Sequence, residues 1–189
     1  MAELFESGIE ERILPVGAVA PEFALNDASG RLVRSRDLLA LGRLVVSFFR
    51  GRWCPYCITE LEAWRDLYGQ LRERDALMVG ISPQIERQND FMADQHGLPF
   101  PVLSDPGCAV AELFGLVYTV PEYHRESYRS MLVNIPFVNG DVNWKLPLPA
   151  TYVLGRDGRV LFAEAHADFR VRPEPNEAFL AACAHENKR

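Results

Sequence analysis

The feature that most constrains this chain is a short apolar run that delivers a pair of cysteines into a helix. Residues 44–49 read LVVSFF, bounded by Arg and Gly, and so short a run of β-formers predicts a central strand buried on both faces. Residues 58–71 then place Leu61, Trp64, Leu67, Tyr68 and Leu71 on one helical face. Between the two lies RGRWCPYC, which sets Cys54 and Cys57 at the strand-to-helix junction. Open α/β sheets place their chemistry at that end of a strand.

The other segments suit the same architecture. Residues 2–14 read as an amphipathic helix, residues 16–33 as a hairpin turning between Asn26 and Gly30, and Ser35 as the cap of a short helix ended by Gly42. Strands at 76–81 and 100–103 alternate with helices at 85–95 and 109–114. Residues 115–148 read as irregular and aromatic, with one helix over 121–131. Strands at 151–154 and 160–163 turn through Gly155 to Gly158, and a helix over 173–185 closes the chain. This order predicts an α/β fold, a mixed sheet with a parallel core and an antiparallel edge, flanked by helices.

Composition narrows the class. A chain of 189 residues, 48% hydrophobic and 24% charged, without repeat or linker, reads as a single domain over 1–189. A net charge of −6 argues against nucleic acid as a partner, because neutralising phosphates needs a basic face. No apolar run approaches the roughly 18 residues that span a bilayer. The acidic N-terminal stretch lacks the basic start and apolar centre of a secretory signal, so the expected location is cytoplasmic.

The four cysteines, at 54, 57, 108 and 183, are too few for a disulfide scaffold, and the C-x-x-C points to redox chemistry or metal binding. Structural zinc needs four ligands, and neither Cys108 nor the four histidines supply a second ligand pair, so no metal is expected. Cys54 just before a helix gains from the unpaired N–H groups and the positive dipole end, and Arg50 and Arg52 add charge nearby. These effects predict a thiol well below its usual pKa of about 8.5. Pro55 suits the first helical turn because it has no N–H to leave unbonded. A Cys54 thiolate attacks a disulfide and Cys57 resolves the mixed disulfide, with no cofactor required.

Three blocks, VGAVAPEFALNDASG, LVVSFFRGRWCPYCITEL and LPATYVLGRDGRVLFAE, resemble the AhpC/TSA (alkyl hydroperoxide reductase/thiol-specific antioxidant) peroxiredoxin-like branch of the thioredoxin superfamily. The resemblance implies a thioredoxin-like fold of the peroxiredoxin type with an N-terminal hairpin extension. It also implies an antioxidant or redox-homeostasis role, a thioredoxin or small-thiol reductant, and a homodimer as one assembly to expect. Typical peroxiredoxins resemble P-x-x-x-T-x-x-C. Laid on this sequence, that pattern puts Cys57 at the peroxide-attacking position, Cys54 where the threonine stands and Arg50 where the proline stands. The family's arginine before the penultimate strand falls at Pro149, where thioredoxin-like reductases carry a cis-proline against the C-x-x-C. The leading reading is therefore a thiol–disulfide oxidoreductase acting on a disulfide-bearing protein. The alternatives are a thiol peroxidase acting on hydrogen peroxide or organic hydroperoxides, and a redox-regulated binding module.

Around the pair, Trp53 is expected to shape the substrate contact, Tyr56 to offer a hydroxyl, and Glu60, one turn beyond Cys57, either to relay protons or to sit exposed. Arg50, Arg52, Arg170 and Arg172 are the candidates for the missing arginine, with a solvated role favoured for the last two. His124 reads as a surface residue, Cys183 as buried, and Cys108 as the more reactive of the lone thiols. The aromatic 115–148 segment reads as a rigid specificity wall or lid leading into Pro149.

Overall fold

The computed structural model describes residues 4, 6–172 and 174–184. Its sheet of seven strands runs in the order β2-β1-β5-β4-β3-β8-β9. These strands are β1 (Ala24–Asp27), β2 (Leu32–Arg34), β3 (Arg43–Phe48), β4 (Ala76–Ser82), β5 (Val102–Ser104), β8 (Ala150–Leu154) and β9 (Val160–Ala165). The β3, β4 and β5 trio is parallel, while β8 and β9 pair antiparallel on one side and β1 and β2 on the other. The mixed sheet with a parallel core is as the sequence implies.

Alternation along β3 explains why the run is apolar throughout. Leu44, Val46 and Phe48 enter one core with Phe114 and Tyr152, and Val45 enters the other with Leu61, Trp64 and Met92. The second face is covered by α2 (Pro55–Arg72), α3 (Glu86–His96) and α7 (Pro175–Cys183). On the first face lie α1 (Ser35–Leu41), α4 (Ala109–Leu113) and the N-terminal segment.

Three local expectations differ. The helix expected over 2–14 is interrupted at Gly8 (φ 66°), after which a single 3-10 turn, Ile9–Arg12, buries Ile9. Residues 2, 3 and 5 of that span, like 173 and 185 of the closing helix, lie outside the described residues. Ser35 is not a cap but the first residue of α1; its Oγ accepts from the Phe23 N–H at 3.0 Å, which ties the hairpin to the helix.

The 115–148 segment is more regular than its composition suggests. Strands β6 (Val117–Thr119) and β7 (Lys145–Pro147) pair antiparallel as a separate ribbon, and α5 (Glu122–Ser130) and α6 (Ile135–Asn139) lie between them. Val120, Ile135, Trp144 and Leu146 form a small core of its own, and Trp53 and Tyr128 pack against it. The segment is thereby built against the cysteine junction.

Candidate active site

The junction folds as its residue types dictate. Cys54 has extended backbone at the N-cap of α2, Pro55 occupies the first turn, and the Cys54 N–H donates to the Gly51 carbonyl at 3.1 Å. Gly51 has φ +147°, and an added Cβ would meet Trp53 Nε1 at 2.6 Å and Gln84 Oε1 at 2.9 Å. Gln84 fixes the loop from the far side, since its Oε1 accepts from the Arg52 N–H at 2.9 Å. It is itself held by Asn89, whose Oδ1 accepts from Gln84 Nε2 and from Ser82 Oγ. This buried polar network was not expected from the sequence. No motif marks Gln84, and only its closeness in the fold to the Arg52 backbone gives it a role.

The cysteines are unpaired and approach to 3.2 Å. Both are buried, Cys54 at 2% exposure and Cys57 at 0%, but only Cys54 lines the adjoining cavity. A hydrogen bond from Cys57, the charge of Arg50, the Cys57 backbone N–H and Arg172 together outweigh burial and hold Cys54 at a pKa of about 6. Burial, then the neighbouring Cys54, push Cys57 well above the ordinary thiol range despite Arg172. The two thiols are driven apart in acidity, the outer one toward the thiolate and the inner one toward the thiol.

Behind Cys57 lies a polar triad. Arg172 Nη2 donates to Cys57 Sγ at 3.2 Å and Nη1 to Glu60 Oε2 at 2.6 Å, while Thr151 Oγ1 donates to Glu60 Oε1 at 2.8 Å. Glu60 is buried, and burial raises its carboxyl above the usual range even against Arg172 and Thr151. Of the two readings of Glu60, the exposed helix carboxylate is overturned. So is the solvated reading of Arg172, which reaches inward from the segment after β9. Arg170 is exposed on Asp168, and Arg52 turns toward Gln88 and Phe91.

Arg50 lies in front of the pair. It is 2% exposed, its Nη2 donates to the Tyr128 hydroxyl at 2.5 Å, and its guanidinium sits over Phe169 at 4.1 Å and Trp53 at 4.8 Å. Trp53 meets Tyr128 edge-on at 5.4 Å. Tyr56 is half-exposed and packs on Phe169. Arg50, Trp53, Cys54, Pro55 and Tyr56 thus line one cavity of about 870 Å³, whose opposite wall is β6, α5 and the turn between them.

Pro149 is buried and does not line that cavity, and its peptide is trans: no cis bond occurs among the described residues. The expected cis-proline is corrected, since β7 runs through Pro147 almost directly into β8 and the chain enters the sheet extended. Cys108 is fully buried, and burial raises its thiol, which overturns its reading as the more reactive lone cysteine. Cys183 is only partly buried. His124 is exposed as expected, yet it also lines the cavity. Among the described residues, no group of three His, Cys, Asp or Glu side chains is placed to hold a metal ion, and no helix is long and apolar enough to cross a membrane.

The family model described as the AhpC/TSA family matches residues 16–163. Peroxiredoxin Bcp of Bacillus subtilis is 30% identical over 102 residues, which is 53% of this chain and 64% of that protein. Thiol-disulfide oxidoreductase ResA of Halalkalibacterium halodurans is 30% identical over 103 residues, 53% of this chain and 56% of that one. The aligned region therefore spans less than two thirds of either relative. Among solved structures, peroxidoxin BcpB of Mycobacterium tuberculosis superposes with a TM-score of 0.72 at 24% identity, covering 92% of this chain and 99% of its own. PrxQ of Xylella fastidiosa, as its C47S mutant, gives a TM-score of 0.68 at 16% identity, covering 89% and 93%.

Proposed function

The chain belongs to the AhpC/TSA family, and from that premise we propose that it is a thiol–disulfide oxidoreductase in which Cys54 attacks and Cys57 resolves. One observation carries the reading: Cys54 alone of the pair lines the cavity, with its thiol held at about 6, while Cys57 is sealed and kept protonated. A thiolate is the nucleophile in exchange, and the outer cysteine, ionised at neutral pH, faces the cavity through which a substrate approaches.

The cycle balances as follows. Cys54 thiolate attacks one sulfur of the substrate disulfide, forming a mixed disulfide and expelling the other sulfur as thiolate. Cys57 then attacks Cys54 Sγ, which closes the Cys54–Cys57 disulfide and releases the second substrate thiolate. Before that step Cys57 must lose its proton. Arg172, on its sulfur, stabilises the developing charge, and Glu60, with its raised carboxyl, is the nearby acceptor. Trp53 and Arg50 shape the approach to Cys54. An external dithiol of the thioredoxin type, or a small thiol, returns the pair to its reduced state. Four unpaired cysteines suit work in a reducing compartment such as the cytoplasm.

A second reading is favoured by the Arg172–Cys57 contact. An arginine on the sulfur of the cysteine at the family's peroxide-attacking position is the feature the sequence lacks at Pro149, and Arg172 supplies it from another segment. There Cys57 would take an oxygen from peroxide to give a sulfenic acid, and Cys54 would condense with it, releasing water. Single-cysteine variants separate the two. The oxidoreductase reading expects Cys57→Ser to accumulate a mixed disulfide at Cys54 and Cys54→Ser to be inert. Rapid sulfenate formation on Cys57 in Cys54→Ser would establish the peroxidase instead.

A further inference from the structure

The chemistry of the cavity bears on what carries the disulfide. Its volume of about 870 Å³ falls in the span of small-molecule sites, roughly 300–1,000 Å³. Cys54 lines it with only 2% exposure, so a sulfur fixed on the surface of a folded protein cannot reach it without entering. The walls are aromatic, with Trp53, Tyr118, Tyr123, Tyr128 and Phe169 contributing rings.

Charge is distributed unevenly. Although the chain carries −6 overall, the described residues lining the cavity include Arg12, Arg50 and His124 but no Asp or Glu. Arg50 is nearly buried, its Nε has no hydrogen-bond partner, and its charge rests on aromatic faces and a tyrosine hydroxyl rather than on a carboxylate. Tyr118, Tyr128, Cys54 and Cys57 all act on its charge, and of these Cys54 is the group drawn toward its anion. Forming a mixed disulfide removes that charge and leaves a buried guanidinium without its anion, a costly state. An acidic group on the substrate half attached to Cys54 would replace it.

We infer that the disulfide reduced at Cys54 belongs to a small anionic molecule with an aromatic or flat apolar body. The inference rests on the oxidoreductase reading above and names its substrate class. The reduction consumes one small disulfide and the protein dithiol, and yields two small thiols and the Cys54–Cys57 disulfide. The thioredoxin-type or small-thiol reductant then regenerates the dithiol.

The test uses reduced full-length protein in stopped flow against four oxidants: dithiobis(nitrobenzoate), which is anionic and aromatic; dithiodipyridine, aromatic and neutral; insulin, a protein disulfide; and hydrogen peroxide. Each rate is divided by that of glutathione with the same oxidant. The anionic disulfide should then exceed the neutral one by about tenfold, the worth of one charge-assisted contact. Insulin should show no enhancement. Arg50→Met should abolish the preference, read as the ratio of the two aromatic disulfides within the variant so that changes in thiolate content cancel. Arg12→Gln, at an exposed position, should lower the same ratio and covers the case in which Arg50→Met does not fold. Enhancement with insulin equal to that with the anionic disulfide, or no preference between the aromatic pair, overturns the inference and leaves the oxidoreductase reading standing. Enhancement with peroxide alone overturns both.

Discussion

The guanidinium of Arg172 lies 3.2 Å from Cys57 Sγ and joins the segment after β9 to the start of α2. Through the same side chain, the buried Glu60 carboxylate gains its cationic partner at 2.6 Å. A residue 115 positions away in sequence thus touches the inner cysteine, whose thiol burial and Cys54 push up against it, and the same guanidinium joins Cys57 and Arg50 in drawing the outer thiol down.

Breaking that link should cost stability before it costs recognition. Arg172→Ala leaves Glu60 buried without its cation, a change worth about 3–5 kcal/mol. The double variant Arg172→Ala/Glu60→Gln should recover part of the loss, because the buried charge is gone as well. Urea denaturation of the reduced proteins reads both, and equal losses in the single and double variants would contradict the pairing. Arg172→Ala should also slow resolution, seen as a longer-lived mixed disulfide in single turnover.

Arg50 should act on Cys54 through charge. Arg50→Met is expected to raise the apparent pKa of Cys54 by about one unit, worth about 1.4 kcal/mol, while Arg50→Lys should hold most of the shift. Thiolate absorbance in the far ultraviolet against pH gives the comparison. An unchanged titration in Arg50→Met would assign the shift to Cys57 and Arg172 instead.

The acidity of Cys54 fixes a pH dependence with a definite sign. Its folded pKa, about 6, lies below that of the unfolded thiol, so ionisation stabilises the folded, reduced protein. That contribution is complete above the unfolded value of about 8.5, and is lost as pH falls through about 6. The reduction potential should follow. Its slope is expected to be ~59 mV per pH unit where reduction binds two protons, and ~30 mV where it binds one. The break between the two should fall at about pH 6. Redox equilibration with glutathione across pH 5–9 (a range chosen to bracket both values) shows whether the break lies there or near the free-thiol value.

Gly51 should resist substitution. At φ +147°, with Trp53 and Gln84 against the position of any Cβ, Gly51→Ala is expected to cost about 1–3 kcal/mol. It should also shift the Trp53 fluorescence, because the indole is the atom group it strikes. A variant with native stability and an unshifted spectrum would show that the loop yields freely.

The part of this arrangement legible in the sequence is the part specified locally. The β3 run, Pro55 at the helix start and the apolar face of α2 each carry their own pattern, and the parallel core with an antiparallel edge follows from the alternation of strands with helices. Glu60 was readable either as relay or as surface residue, because helical spacing gives a face but not what covers it. Arg172 was misread for a physical reason: a lone arginine in an irregular tail has no periodicity, and its docking depends on β9 and α7 already being in place. Gln84 left no local signal at all. The ribbon made by β6 and β7 was hidden because three-residue strands are too short for an alternation pattern.

The proposed chemistry requires Cys54 to be the thiolate that faces the cavity and Cys57 to be the sealed thiol. Alkylation of the reduced protein with iodoacetamide from pH 4 to 9, bracketing both thiol values, and quenched for site-resolved mass spectrometry, tests it most directly. Label is expected on Cys54 with a midpoint at about pH 6, and Cys57 should stay protected throughout. Label arriving first on Cys57, or on Cys54 with a midpoint near the free-thiol value of about 8.5, would contradict it.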